Sequence, residues 1–247
     1  MKVVISLTSI PSRFDKLAER LRALTRQTCH EVWLNIPHRY NRFPEWDGVI
    51  PEALYDIDPK IVINRGCEDF GPGTKFIAPA IKLLPEDLII YVDDDTAYDA
   101  RIATNLLKWH QTDTKSAWGL SGFTFENYFK NSFPRTHGVP VDVLEGYGAV
   151  IVRAAWIQAL LPEFKELLVE ARAADDVIIS NLLEKAGIKR KTVFTPDCNL
   201  GHVQQYQYGF DQDALHHQFT GGHHVNYKNV LRALEDKAKS YFMYKIC

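Results

Sequence analysis

The chain has few cysteines and no pattern among them: Cys29, Cys67, Cys198 and Cys247 are scattered, without a C-x-x-C pair. That spacing argues against a zinc site and gives no disulfide framework, so free thiols in a reducing compartment are expected. Long apolar runs are also missing. The opening M-K-V-V-I-S-L is too short for a signal peptide and meets Arg13 early, and no later run approaches membrane-spanning length. A cytosolic protein with no integral membrane segment is the expectation. An excess of basic charge is missing as well: the net charge is -2 and no basic run exceeds Lys189-Arg190-Lys191, which gives no phosphate-tracking stripe and makes nucleic acid an unexpected partner. There is no Ser/Gly/Pro linker, repeat or low-complexity tract. With 46% hydrophobic and 24% charged residues there is material for a substantial core, and a single domain over residues 1–247 is expected.

What the chain does have is alternation. Val3 to Leu7 reads as a strand, and Phe14 to Arg26 carries Leu17, Leu21 and Leu24 at helical period. A second strand, Glu31 to Ile36, ends at Pro37; Lys60 to Ile63 is a third, Phe76 to Leu84 a helix, and Leu88 to Val92 a fourth strand. Strands alternating with helices predict an α/β fold with a mainly parallel sheet flanked by helices on both faces. Residues 1–98 read as a nucleotide-binding half and 99–247 as the half facing a second substrate, where a smaller mixed region is expected. In that half Arg101 to His110 is helical, Ala117 to Phe125 strand-like, and Asn127 to Pro140 an aromatic loop. Val143 to Val152 brings Gly146 and Gly148 into a strand-like stretch, where glycine marks a bend or a close approach. Leu160 to Ala173 and Asp176 to Ala186 are predicted helices, the latter closed by Gly187, and Val230 to Tyr241 a last one.

The chemistry centres on Asp93, Asp94 and Asp95, which follow the apolar Leu88-Ile89-Ile90-Tyr91-Val92. Open α/β sheets place ligands at the carboxyl ends of their strands. Three adjacent carboxylates raise one another's pKa unless a cation or a set of donors answers them, and hard oxygen ligands suit Mg²⁺ or Mn²⁺. The plainer alternative is an acidic turn in which Asp95 or Thr96 caps a helix beginning near Ala97. After the first strand, Thr8-Ser9-Ile10-Pro11-Ser12-Arg13 offers hydroxyls and a guanidinium suited to a nucleotide, or else Ser12 caps the next helix. Asp69-Phe70-Gly71-Pro72-Gly73-Thr74-Lys75 leads into a helix start that can hold an anion, without Walker A spacing. Asp175-Asp176 opens a helix: capping accounts for one carboxylate and leaves the other available as a general base. Five late histidines, 202, 216, 217, 223 and 224, lie in polar surroundings, and His202 is the preferred metal-ligand candidate among them.

The ordered set T-S-I-P-x-R, D-x-G-P-x-T-K, a strand into D-D-D, E-G-Y-G-A and a D-D pair resembles GT-A-fold nucleotide-sugar glycosyltransferases. Within them it is similar to the small single-domain enzymes of large algal viruses, which glycosylate capsid protein, and their bacterial relatives. The resemblance covers nearly the full chain. It implies a metal-dependent transferase moving a hexose or deoxyhexose from a nucleotide-sugar, UDP-sugar first, to a glycan or glycoprotein hydroxyl, with inversion preferred. Asp95 would bind Mn²⁺ or Mg²⁺, with Asp93 also at the metal and the ribose, and Asp94 beside them. Thr8, Arg13, Asp69 and Lys75 would hold the nucleotide; Gly146, Tyr147 and Gly148 would line the donor sugar; Asp175 or Asp176 would be the base. No H-x-x-G-x-x-K-P-W signature follows, which leaves the third ligand open beyond His202. Two rivals stand beside this expectation. A haloacid-dehalogenase-like phosphatase also uses D-x-D after a buried strand, but wants Thr or Val where Ala97 stands; the other rival is a sugar-binding module without turnover.

Overall fold

A strand buries both faces only where something covers both. The computed structural model, which describes residues 1–124, 139–166, 174–193, 204–205 and 213–215, has that arrangement. In chain order the elements are β1 (Val3–Thr8), α1 (Leu17–Thr25), β2 (Glu31–Pro37), β3 (Ile61–Cys67), α2 (Thr74–Lys82), β4 (Leu88–Tyr91), β5 (Thr96–Ala97), α3 (Ile102–Thr112), β6 (Ser116–Gly119), β7 (Gly122–Phe123), β8 (Val143–Leu144), β9 (Val150–Arg153), α4 (Ala154–Glu166), α5 (Asp175–Lys185), β10 (Lys189–Thr192) and β11 (Gln204–Gln205). Among the described residues seven strands form one sheet in the order β10-β6-β9-β4-β1-β2-β3. It is parallel throughout except for β9, which runs antiparallel to β4 and β6. Two short antiparallel pairs, β5 with β11 and β7 with β8, make the smaller mixed region.

The period of two along the central strands sorts the core into two layers. Val3, Ile5, Leu7, Leu88, Ile90 and Val92 face α1 and α3, meeting Leu17, Leu21, Leu24, Ile102 and Leu106. Val4, Ile89 and Tyr91 face α2, α4 and α5, meeting Phe76, Ile157, Phe164 and Ile178. The chain steps outward from β1 to β2 and β3, then returns to the other side of β1 as β4. Strand order therefore reverses between β1 and β4, and the segments leaving their carboxyl ends are the two motif-bearing ones, residues 8–13 and 93–95.

Several local expectations change. The first helix is preceded by a 3-10 turn over Pro11–Lys16, so the α-helix starts at Leu17. No helix begins near Ala97: Thr96–Ala97 pairs with Gln204–Gln205, and α3 starts at Ile102. The stretch 117–125 divides into β6 and β7, and the 143–152 stretch is broken by a 3-10 turn at Gly146–Gly148. Ala149, which leaves that turn, has φ 64, and its N–H is held by Gly146 O at 2.9 Å. The helix expected from Leu160 starts earlier, at Ala154. Gly187, with φ 72, closes α5 as expected: its N–H bonds Glu184 O at 2.8 Å and that of Ile188 bonds Leu183 O at 2.8 Å, the paired bonds of a Schellman turn. Residues 167–173, residues 127–138 of the aromatic loop expected over 127–140, the expected helix at 230–241, all five late histidines, Cys198 and Cys247 lie outside the described residues. Cys29 and Cys67 are free thiols. Among the described residues no helix is long and apolar enough to cross a membrane.

One core residue gives the fold a pH dependence. His110 on α3 is buried, and burial, then the neighbouring Arg153, pushes its pKa below the ordinary histidine value, with the Ser116 backbone and Asp113 opposing. A histidine whose folded pKa is depressed contributes stability above its unfolded pKa, about 6.5, that is lost as pH falls through the folded value. The thermal midpoint of the wild type is therefore expected to fall more steeply below about pH 6.5 than that of His110→Gln. Parallel midpoint curves would show that His110 is not the titrating group.

Candidate active site

At the end of β4 successive side chains still turn to opposite faces of the sheet, and this separates Asp93 from Asp94. Asp94 continues the face of Ile90 and Val92, toward α1. One of its carboxylate oxygens takes Arg13 Nη1 at 2.7 Å and the other takes the Ser9 hydroxyl. Its backbone carbonyl accepts from Arg20 Nε at 3.3 Å. Burial pushes the Asp94 carboxyl up to about 6, with Arg13 drawing it down and Asp95 raising it. Asp95 meets the same Arg13 nitrogen at 3.3 Å. Arg13 and Arg20 are both buried, so two guanidiniums lie beneath this part of the triplet.

Asp93 continues the face of Ile89 and Tyr91, toward α2 and α5. Its carboxylate takes Lys75 Nζ at 2.7 Å, and that ammonium also meets Asp175 Oδ2 at 3.0 Å. The ammonium is buried, 5.7 Å from the centre of the Tyr91 ring. Burial opposes its charge, but Asp175, Asp93 and Asp176 hold its pKa well above the ordinary lysine value. Asp176, half-buried, accepts the Gly146 N–H at 3.0 Å. Burial and then the charge of Asp175 push the Asp176 carboxyl well above its usual range, with Lys75 pulling the other way. Neither aspartate caps α5: the N-cap position is Ala174, with no side-chain cap bond. Capping therefore accounts for neither carboxylate; an ion pair holds one and a backbone N–H from the glycine turn holds the other.

The structure thus brings Arg13, Lys75, Asp93, Asp94, Asp95, Gly146, Asp175 and Asp176 to one edge of the sheet. The glycines serve close packing: a Cβ on Gly146 would lie 2.6 Å from Lys75 Nζ, and one on Gly148 2.6 Å from Ser121 Cβ. Tyr147 between them is 42% exposed, with its hydroxyl 2.9 Å from Ser121 Oγ. That serine donates to the Glu145 carboxylate at 2.6 Å. Two predicted residues bond the surrounding backbone instead. The Thr8 hydroxyl donates to Asn35 O at 2.8 Å, and Asp69 accepts the N–H groups of Asn41 at 2.7 Å and Gly71 at 2.8 Å, shaping the turn before α2. His202 lies outside the described residues. Arg20 and Ser121 join the site without having been named, and Ser9 and Glu145, which lay inside quoted motifs, join it without having been given a role. Arg20 did carry a signal, since it stands on the apolar stripe of Leu17, Leu21 and Leu24, where a charge needs a buried partner.

Among the described residues no three His, Cys, Asp or Glu side chains are grouped to hold a metal ion. The donor set nevertheless suits an ion that arrives with phosphate, because Mg²⁺ is commonly held by one or two carboxylates and completed by substrate oxygens. The Asp93 and Asp95 side chains are 31% and 14% exposed, while that of Asp94 is 8% exposed and committed to Arg13 and Ser9. Asp93 and Asp95, each held by a cation on one side, are therefore the two more open carboxylates of the triplet.

No protein-family model matches the chain, and no curated protein matches it in sequence. Solved structures do resemble it. TarS of S. aureus, as its 1–349 fragment, aligns with 99% of this chain and 67% of its own at 11% identity and a TM-score of 0.58. The mannosyltransferase PcManGT from Pyrobaculum calidifontis, solved with GDP-Man and Mn²⁺, aligns with 80% of this chain at 17% identity and a TM-score of 0.52. This chain spans about half of that mannosyltransferase's length, 55%. The fold is the Rossmann-like GT-A fold that these structures share.

Proposed function

We propose that the protein is a nucleotide-sugar-dependent glycosyltransferase that moves a hexose or deoxyhexose, from a UDP-sugar first, to a glycan or glycoprotein hydroxyl with inversion. The observation that carries this reading is the splitting of one acidic triplet between two fixed cations at the strand-order reversal. One set of carboxylates is thereby presented at the nucleotide edge and another beside the glycine turn. Support comes from the shared fold and from the mannosyltransferase of that fold, whose complex holds GDP-Man and Mn²⁺.

In this reading Asp95, with Asp93, holds Mn²⁺ or Mg²⁺. When bound, the ion supplies Lewis-acid stabilisation of the departing nucleoside diphosphate. Arg13 keeps Asp94 and Asp95 in place from below, and Ser9 fixes the second oxygen of Asp94. Lys75 pairs with Asp93 and Asp175. Asp176 then takes the proton of the acceptor hydroxyl as that oxygen bonds to the anomeric carbon, and its raised pKa makes it a stronger base than an ordinary aspartate. Gly146 aims it through one backbone N–H, and Tyr147 stands at the turn where the sugar would pass.

The test is nucleotide release from a panel of nucleotide-sugars with and without Mn²⁺, accompanied by thermal-shift measurements, since a ligand that binds only the folded state raises apparent stability. Release is expected from a UDP-sugar with Mn²⁺, falling by about 10²-fold or more in Asp95→Ala. Because Asp93 and Asp95 are the open carboxylates of the triplet among the described residues, Mn²⁺ alone is expected to bind weakly in calorimetry and UDP to strengthen it. Release of phosphate from phosphomonoesters would point to the phosphatase rival, and sugar binding without nucleotide release to a non-catalytic module.

A further inference from the structure

A proline inside a helix brings no N–H to the carbonyl four residues before it, and its ring crowds that carbonyl. In α2 the proline is Pro79, and the carbonyl belongs to Lys75. Its oxygen is served from outside the helix, by the hydroxyl of Ser6 on β1. The Ser6 hydroxyl accepts from Asn35 Nδ2 at 2.8 Å, and Asn35 Oδ1 accepts from Asn64 Nδ2 at 2.8 Å. Asn64 Oδ1 in turn accepts from the ammonium of Lys82, the last residue of α2. Every donor points the same way. The ladder leaves the end of α2, crosses β3, β2 and β1, and returns to α2 at its second residue. Asn35 and Asn64 are register partners on adjacent parallel strands, and Ser6, Asn35 and Asn64 are all buried.

Polar side chains inside a sheet cost free energy unless each is satisfied, and a satisfied network specifies one arrangement among many. Leucine or valine at these positions would hold α2 to the sheet as firmly in hydrophobic terms, but would leave it free to slide. The Lys75 ammonium cannot tolerate sliding, because it is shared between Asp93 and Asp175 and closed off by Gly146, where a Cβ would be 2.6 Å away.

We propose that Ser6, Asn35 and Asn64, together with Pro79, are positioning residues for Lys75: the proline vacates one carbonyl so that the sheet can grip the helix there. The ladder fixes how far the ammonium reaches across the site. Its bearing on catalysis rests on the transferase reading, in which Lys75 occupies Asp175 and leaves Asp176 to the acceptor; its bearing on Lys75 does not.

The experiment reads the ammonium directly. Nitrogen-15 NMR of Lys75 Nζ, assigned with Lys75→Arg, is expected to show a slowly exchanging signal in the intact protein. Ser6→Ala should speed its proton exchange on the order of tenfold, the effect of leaving a buried carbonyl without a donor. Pro79→Ala added to Ser6→Ala supplies the Lys75 carbonyl from within the helix but leaves the sheet without its grip, so exchange should stay fast. Asn64→Ala, at the far end, should give a smaller change of the same sign and serves if Ser6→Ala does not fold. Ile157→Val, a core change away from the ladder, controls for general loosening and should leave the signal in place. An ammonium signal unmoved by Ser6→Ala or Asn64→Ala, or returned to slow exchange by adding Pro79→Ala to Ser6→Ala, overturns the proposal. Failure of the transferase reading shows instead as absence of nucleotide-sugar turnover with the NMR results unchanged.

Discussion

Methionine in place of Lys75 costs the fold about 3–5 kcal/mol at neutral pH, the usual penalty for removing one partner of a buried ion pair. Against a typical stability of about 5–15 kcal/mol this is a large single-residue effect. The residue is buried, and methionine fills its space with apolar atoms, so the loss comes from charge. Asp93, Asp175 and Asp176 would then face one another with no ammonium between them. The sign with pH separates charge from packing. In the intact protein the lysine pKa is raised by these carboxylates, so its contribution is fully present below the unfolded value of about 10.4 and is lost only as pH rises through the folded one. The deficit of Lys75→Met behaves differently. Asp175 and Asp176 already have raised pKa values, and without the lysine they rise further. A carboxyl raised in the fold destabilises it as pH climbs above its unfolded value near 3.9, and ceases to do so on acidification. Urea unfolding at pH 7 and at about pH 4.5 should therefore show the gap between variant and wild type narrowing in acid. A gap of equal size at both pH values would mean that Lys75 matters through packing.

The places where the sequence was legible are those where one physical rule dominates. β1 and β4 are apolar, β-branched runs, and their strands lie where the runs are. The aspartate triplet could be placed at a strand end from the run before it, and the fold puts it at the reversal of strand order. The division inside the triplet also follows a rule: with a period of two, Asp93 continues the Ile89 and Tyr91 face and Asp94 the Ile90 and Val92 face. That separation sends one to Lys75 and the other to Arg13. Pro79 inside an expected helix was equally visible, and asking which carbonyl it orphans leads to Lys75. What the chain order hides is partnership over distance. Nothing near Lys75 in sequence names Asp175, and nothing near Asp176 names the Gly146 N–H. The expected cap at Asp175 or Asp176 failed for this reason: a helix-start aspartate is a local inference, and a buried cation from α2 outweighs it.

Asparagine in place of Asp176 should lower kcat for transfer by about 10²–10⁴-fold, the contribution typical of a general base, with donor affinity little changed. The two aspartates of α5 are adjacent but not equivalent. Asp175 is buried and shares the Lys75 ammonium at 3.0 Å, so its negative charge is already answered inside the protein. Asp176 is half-buried and fixed by a backbone N–H, which orients a carboxylate without neutralising it. Burial and the charge of Asp175 raise its pKa, which brings its basicity closer to the pH at which it works. A base must be ionised to act. Activity should therefore rise with pH through the Asp176 pKa, and that limb of the kcat profile should vanish in Asp176→Asn. Asp175→Asn should act by another route, lowering stability in urea unfolding because Lys75 loses a partner, and lowering kcat with the acid limb retained. Donor binding by calorimetry and transfer kinetics on both variants separate the roles. A fully active Asp176→Asn beside an inactive, well-folded Asp175→Asn would reverse the assignment and make the lysine-paired carboxylate the base, with Lys75 as the group that moves aside.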